Sequence, residues 1–251
     1  VKVLKDQAIS VRNLSVSYYG KEVLKNINYT CSHGKLVGII GPNGAGKSTM
    51  MKAALGLIPR DSGQINIGGQ PLKEMRKKIA YVPQRSNIDW DFPIIVKDTV
   101  LLGTYPKLGL FHRPKKEDKK WAMECLAKVG MEQFANSQIG ELSGGQQQRV
   151  FLARSLAQNA EYFFLDEPFV GIDVSSEEVI IRILKGLRDE GKTVFVVHHD
   201  LMKVQSYFDD LILINKELIG AGPVDHVFKP ELMQAAYKAP INMLGSLGVG
   251  V

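Results

Sequence analysis

The chain has 251 residues, of which 45% are hydrophobic and 23% charged, with a formal net charge of +6. That length suits one large domain or a core domain with an insert, and the composition is that of an ordinary soluble globular protein. Its two cysteines, Cys31 and Cys125, share no metal-ligand spacing and suggest no disulfide framework, so a reducing, cytosolic compartment is expected.

No apolar run approaches the roughly 20 residues needed to span a bilayer, and Val1-Lys2-Val3-Leu4-Lys5-Asp6 lacks the apolar core of a secretory signal. Any membrane crossing is therefore expected in other chains. Lysine gathers at Lys73 to Lys78 and Lys115 to Lys120. Each run alone reads as a solvated helix face, with nucleic acid or anionic lipid as the other openings for a basic chain.

Residues 8–31 read as strands and turns, since Leu14, Val16 and Tyr18 alternate, as do Ile27, Tyr29 and Cys31. Gly20-Lys21 is the expected turn. With Leu14, Val16 and Tyr18 facing inward, Tyr19 points the other way. It is either a platform on which an adenine ring stacks or a plain surface tyrosine.

The apolar run Leu36-Val37-Gly38-Ile39-Ile40 then enters Gly41-Pro42-Asn43-Gly44-Ala45-Gly46-Lys47-Ser48-Thr49, followed by a helix-like segment from Met50 to Leu55. Strand, glycine loop and helix in this order make a phosphate-binding P-loop. Glycines let successive N–H groups point inward at phosphate oxygens, and the helix start adds its unpaired N–H groups and positive dipole end. Lys47 is expected to reach the β- and γ-phosphates and the Ser48 hydroxyl to ligate Mg²⁺.

Beyond Gly56, Ile65 to Ile67 is a short strand before a Gly68-Gly69 turn, and Lys73 to Lys78 a charged helical connection. Ile79-Ala80-Tyr81-Val82 is a buried-strand candidate stopped by Pro83-Gln84. Residues 87–158 change to helical spacing, as in Trp121, Cys125, Leu126 and Val129, interrupted by a loop from Pro106 to Lys120. The expected organisation is an antiparallel β segment with the first part of the core over 8–86, a helical insert over 87–158, the second part of the core over 159–240, and a tail over 241–251.

The core resumes with an apolar strand, Ala160 to Leu165, then Asp166-Glu167-Pro168. A helix is expected over Glu177 to Arg188, ended by Gly191. The strand Thr193 to Val197 stops at His198-His199-Asp200, and Leu211 to Ile214 with Glu217 to Gly220 resembles a strand pair. Apolar strands alternating with helices mean an α/β fold with a mostly parallel sheet covered on both faces.

Ligands bind at the C-terminal ends of such strands. There Asp166 is expected to hold Mg²⁺ through its water shell and Glu167 to polarise the water that attacks the γ-phosphate. Gln84 follows another strand end, where its side-chain oxygen meets Mg²⁺ or the water. His199 arrives at the same edge and hydrogen-bonds the γ-phosphate. His198 and His199 should point to opposite faces, which argues against a paired metal site. In Leu142-Ser143-Gly144-Gly145-Gln146-Gln147-Gln148-Arg149, a serine, two glycines and a helical run form a second anion-binding helix start. A second phosphate surface without an adenine pocket makes sense if two copies pair head to tail, each covering the other's nucleotide.

These motifs, over about residues 8 to 238, resemble the ATP-binding subunits of ABC transporters. Gly41 to Thr49 matches the Walker A motif, Gln84 the Q-loop and Leu142 to Gln146 the LSGGQ signature. Phe163 to Glu167 matches Walker B with its catalytic glutamate, and His199 the switch histidine. The resemblance implies the ABC ATPase fold, a RecA-like P-loop core with an antiparallel β subdomain and a helical insert. Tyr19 fits the adenine-stacking A-loop position, with Tyr18 as the alternative. Phe169-Val170-Gly171-Ile172-Asp173 stands at the D-loop, where the family usually shows Ser-Ala-Leu-Asp; only Asp173 is kept.

Val82 to Pro93, Pro168 to Asp173 and Val197 to Leu201 further resemble importers of manganese, zinc or chelated iron. Ile88, Trp90, Phe92 and Ile94 either line a groove for a helix of a membrane-spanning partner or pack inside the insert.

The resemblance implies an importer motor. Two copies close around two Mg·ATP, each molecule held between Walker A of one chain and Ser143, Gly144, Gly145 and Gln146 of the other. It also implies an integral membrane permease, an extracytoplasmic metal-binding protein, and a place at the cytoplasmic face of the membrane, without nucleic acid. Exporter motors differ only through partners. ABC ATPases of DNA repair, chromosome structure and translation carry coiled coils or paired cassettes, whereas this sequence has one P-loop, one signature and no sustained heptad run. The ion is not legible: the five histidines have no ligand spacing.

Overall fold

The computed structural model describes residues 7–108 and 112–238. The opening residues 1–6, part of the Pro106 to Lys120 loop and the tail 241–251 lie outside them. In chain order the strands are β1 (Gln7–Tyr18), β2 (Lys21–Ser32), β3 (Leu36–Ile40), β4 (Ser62–Ile67), β5 (Gln70–Pro71), β6 (Ile79–Val82), β7 (Tyr162–Asp166), β8 (Thr193–Val197), β9 (Asp210–Asn215) and β10 (Glu217–Pro223). The chain divides into two compact units, residues 1–76 with 193–251 and residues 77–192.

In the first unit an antiparallel sheet runs β2-β1-β4-β5. Alternation buries Leu14, Val16, Leu24 and Ile27 completely. β1 and β2 close as a hairpin in which Tyr18 pairs with Lys21, so the turn residues are Tyr19 and Gly20, at φ 50° and 75°. Two central residues with positive φ are the turn that matches strand twist. The expected turn at Gly20-Lys21 is thus one residue late, and Tyr19 is the turn's first residue rather than the next residue of the strand.

The same unit holds a parallel core. β3 pairs with β8 (Leu36 with Val194, Ile39 with Val197) and with β9 (Val37 with Asp210, Ile40 with Leu213). β10 returns antiparallel beside β9. Every residue of β3 and β8 is buried, as expected for strands covered on both faces. Each fully buried aliphatic side chain here contributes about 1.5–3 kcal/mol. β8 ends at Val197, the end read from the sequence, and His198 and His199 follow it.

The second unit pairs β6 with β7 in parallel, Ile79 with Tyr162 through Val82 with Leu165. Its helices include Val96–Leu101, Lys116–Lys128, Gly144–Ala157 and Val174–Asp189. The helical spacing read at Cys125 and Leu126 becomes a fully buried stripe, continued by Val129 at the C-cap, while Trp121 donates its indole N–H to the Ala157 carbonyl at 3.1 Å. A Cβ on Gly103 would stand 2.0 Å from the Arg154 carbonyl oxygen; glycine permits that close approach to the Gly144–Ala157 helix. The strand expected over Ala160 to Leu165 lies two residues later at its start and reaches Asp166. The next helix begins at Val174, three residues before the expected Glu177, because Asp173 caps it.

Candidate nucleotide site

β3 ends at Ile40 and the chain turns at Gly41, with φ 151° and an imagined Cβ 2.0 Å from the Ile214 carbonyl oxygen. No side chain fits there. Gly44 and Gly46 take φ 76° and 95°, and Gly46 is the N-cap of the Lys47–Ala54 helix. Glycine supplies no capping oxygen, and the first turn carries no acidic residue. The helix start therefore presents N–H groups and a positive dipole end suited to an anion. Pro42 and the exposed Asn43 form the outer part of the loop, and Ser48 and Thr49, half-buried, sit in the helix's first turn. The Ala45 N–H donates to the Pro42 carbonyl at 3.1 Å.

Lys47 is 7% exposed, and its Nζ donates to the Gly41 and Pro42 carbonyls at 2.8 and 3.0 Å. It folds along the loop that it is expected to serve. The loop is braced from afar: the Lys216 N–H donates to the Ala45 carbonyl at 2.9 Å, and the Lys25 N–H to the Lys216 carbonyl at 2.8 Å. The β9–β10 turn thus stands between β2 and the P-loop. No periodicity in the sequence marks Lys216 for this role.

Also in this unit, Tyr19 is fully exposed at the hairpin tip while Tyr18 is 39% exposed, so Tyr19 has the open ring face. His199 is exposed. His198 is 1% exposed, with its ring 5.4 Å from Phe208 and 6.0 Å from Tyr207. The two histidines occupy opposite environments.

In the second unit β7 delivers Asp166, completely buried, as its last residue. The phenol pKa of Tyr81, on β6, is raised, by burial first and then by the charge on Asp166. Glu167 follows at φ 53°, a left-handed conformation that costs an ordinary residue about 1–2 kcal/mol. Its carboxylate Oε2 accepts a hydrogen bond from Gln84 Nε2 at 2.7 Å. The turn continues with the Val170 N–H donating to the Glu167 carbonyl at 3.3 Å.

The signature stretch forms the start of the Gly144–Ala157 helix. Ser143 is its N-cap: the hydroxyl accepts the Gln146 N–H at 3.4 Å, and Gln146 Oε1 accepts the Ser143 N–H at 2.8 Å. This capping box engages both polar side chains of the motif. A Cβ on Gly144 would lie 3.0 Å from the Gly171 carbonyl oxygen, and one on Gly145 would lie 2.3 Å from Ser176 Oγ and 2.9 Å from Asp173 Oδ2. Asp173 in turn accepts from the Ser176 N–H at 2.8 Å and the Ser176 hydroxyl at 2.9 Å. Those two bonds hold its carboxyl below the usual aspartate range.

Sequence reasoning did not assign Tyr81, Arg85 or Gln147. Arg85 Nε donates to Gln147 Oε1 at 3.0 Å, and the Arg85 carbonyl accepts the Trp90 indole N–H at 3.0 Å. Their nearest sequence signal is adjacency to Gln84 and Gln146. Of the apolar residues after Gln84, Ile88, Trp90 and Ile94 are half-buried and Phe92 is 58% exposed. Arg85, Ile88, Trp90, Val170 and Gly171 line a groove of about 330 Å³. Cys31 and Cys125 are buried and free. Among the described residues no three His, Cys, Asp or Glu side chains gather as a metal site, and no helix is long and apolar enough to cross a membrane.

The family model described as "ABC transporter" matches residues 24–170. The manganese transport system ATP-binding protein of Listeria monocytogenes is 56% identical over 234 residues, covering 93% of this chain and 98% of that protein. The zinc transport system ATP-binding protein of Treponema pallidum is 48% identical over 235 residues, covering 94% and 88%. Among solved structures, a dimeric ATP-binding cassette in a post-hydrolysis state with ADP and phosphate is similar at a TM-score of 0.76. It is 31% identical, covering 86% of this chain and 98% of that one.

Proposed function

The chain belongs to the ABC transporter family, and on that premise we propose that it is the ATP-hydrolysing motor of an importer for manganese or zinc. The observation that carries the metal is the 56% identity, along nearly the whole chain, with a manganese transport protein. The zinc transport relative keeps zinc beside manganese.

In this reading the P-loop from Gly41 to Thr49 holds the triphosphate through backbone N–H groups and Lys47. Tyr19 stacks on the adenine and His199 hydrogen-bonds the γ-phosphate. Ser48, Gln84 and Asp166 offer only oxygen donors, and a carboxylate with no exposed surface suits a hard cation. The chemistry of each suits Mg²⁺, which would neutralise phosphate charge when bound. Glu167 takes the proton from the attacking water as the new oxygen–phosphorus bond forms and the bond to the bridging oxygen breaks. The hydrogen bond from Gln84 holds the Glu167 carboxylate in one orientation.

Ser143, Gly144, Gly145 and Gln146 serve the nucleotide of a second copy, arranged head to tail. Closing of that pair around ATP is the two-state element that the nucleotide biases. The groove at Arg85, Trp90 and Val170 takes a short helix of the membrane permease. Arg85 is the one charged side chain among its lining residues, which suits the carbonyl end of a helix or an acidic side chain on it. An extracytoplasmic binding protein delivers the ion, and the motor works at the cytoplasmic face.

The experiment is purification of the tagged chain with its membrane subunit, then reconstitution in vesicles with labelled manganese, zinc and iron. ATP-dependent uptake of manganese or zinc, lost with Glu167→Gln, is expected. A chain that copurifies with nucleic acid and no polytopic membrane protein overturns the reading.

A further inference from the structure

Arg85 joins two features that the sequence presents as separate motifs. Its Nε donates to Gln147 Oε1 at 3.0 Å, and its guanidinium carbon lies 5.6 Å from the Trp90 ring centroid. Gln147, 2% exposed, donates its own Nε2 to the Ile139 carbonyl at 3.2 Å. Both ends of that buried amide are thereby committed, one to the groove residue Arg85 and one to the segment leading into Ser143.

The groove and the helix start also share walls. A Cβ on Gly144 would stand 3.3 Å from Arg85 Cζ and 3.0 Å from the Gly171 carbonyl oxygen, and both Arg85 and Gly171 line the groove. An occupant that draws the guanidinium away would leave the buried Gln147 oxygen without a donor. That penalty would favour a shift of Gln147, and with it of the helix start after Ser143.

We propose that Arg85 is a positioning residue that conveys occupancy of this groove by the membrane subunit to the Ser143-capped helix, through its hydrogen bond to Gln147. The proposal rests on the reading of the chain as a transporter motor. Arg85 touches neither nucleotide nor reacting atoms in this scheme. It acts on the element that one copy presents to the other's ATP.

The test uses the complex purified through a tag on this chain, with ATP turnover in the complex divided by turnover of the isolated chain. That ratio cancels any change in the basal rate. Arg85→Lys keeps the charge but loses the Nε donor, and Gln147→Leu loses the acceptor at similar volume. Each is expected to copurify with the membrane subunit and to lower the ratio about fivefold. The double variant should be no lower than the worse single one, because both break the same link. Should Gln147→Leu fail to fold, Arg85→Lys decides through the ratio alone. An Arg85→Lys complex with the wild-type ratio, or losses that multiply in the double variant, overturns the link. A wild-type chain that brings down no membrane subunit instead overturns the transporter reading beneath it.

Discussion

Gln84 and Glu167, 83 residues apart in sequence, meet through a 2.7 Å hydrogen bond from the glutamine amide to the carboxylate. The proposed base is thus held by a residue two positions beyond the end of β6, and two consequences for turnover can be measured. Glu167→Gln is expected to lower kcat by about 10²–10⁴-fold, the usual worth of a general base, with nucleotide affinity retained. Gln84→Ala should lower kcat by less, about tenfold, because the carboxylate remains but is no longer oriented. Single-turnover hydrolysis with a parallel binding titration separates the two; a Glu167→Gln chain with wild-type turnover would remove that residue from the chemistry.

Glu167 holds a left-handed backbone conformation at φ 53°. Glycine and alanine both remove the carboxylate and differ by one methyl group, so the comparison turns chiefly on the backbone. Alanine keeps the left-handed cost, whereas glycine sheds it while losing more entropy on folding. The glycine variant is expected to be more stable than the alanine variant by about 0.5–1 kcal/mol, read from urea denaturation midpoints.

Two P-loop glycines should respond differently to alanine. At Gly44 a Cβ meets nothing within 4 Å and only the φ of 76° is strained, a cost of about 1–2 kcal/mol. At Gly41 the Cβ would also press on the Ile214 backbone oxygen at 2.0 Å, which adds about 1–3 kcal/mol of overpacking. Thermal unfolding with and without nucleotide is expected to rank Gly41→Ala well below Gly44→Ala.

Asp173 gives a pH dependence with a definite sign. The bonds from Ser176 depress its folded pKa, so its contribution to stability is whole above the ordinary aspartate value. It is lost as pH falls through the lower folded value. Asp173→Asn can still cap the helix but cannot titrate. Its urea midpoint should therefore fall less than that of the wild type between about pH 5 and about pH 3. Equal slopes would assign the acid response elsewhere.

Burial pushes the thiol of Cys125 up to about 11 and that of Cys31 up to about 12. Thiolate is the reactive form, so neither should label with a maleimide at about pH 8 in the native chain. Both should label promptly in denaturant. Rapid native labelling of either residue would contradict the burial that raises these values.

By itself the sequence determined whatever a short window encodes. Glycines at fixed offsets after an apolar strand specify the P-loop, and a serine followed three residues later by glutamine specifies the capped helix at Ser143. Alternation fixes the strands at Leu14 and Ile27, because side-chain period and turn chemistry are local properties. Near misses fell where a cap or a turn decides the boundary, at Tyr19 and at Asp173. Only the tertiary structure decided which distant residues meet: Gln84 with Glu167, Arg85 with Gln147, and Lys216 with Ala45. Those pairs depend on strand register and on backbone carbonyls that close approach makes available. A sequence of side chains does not encode them one window at a time, and the left-handed turn at Glu167 persists only because the fold around it over-determines that conformation.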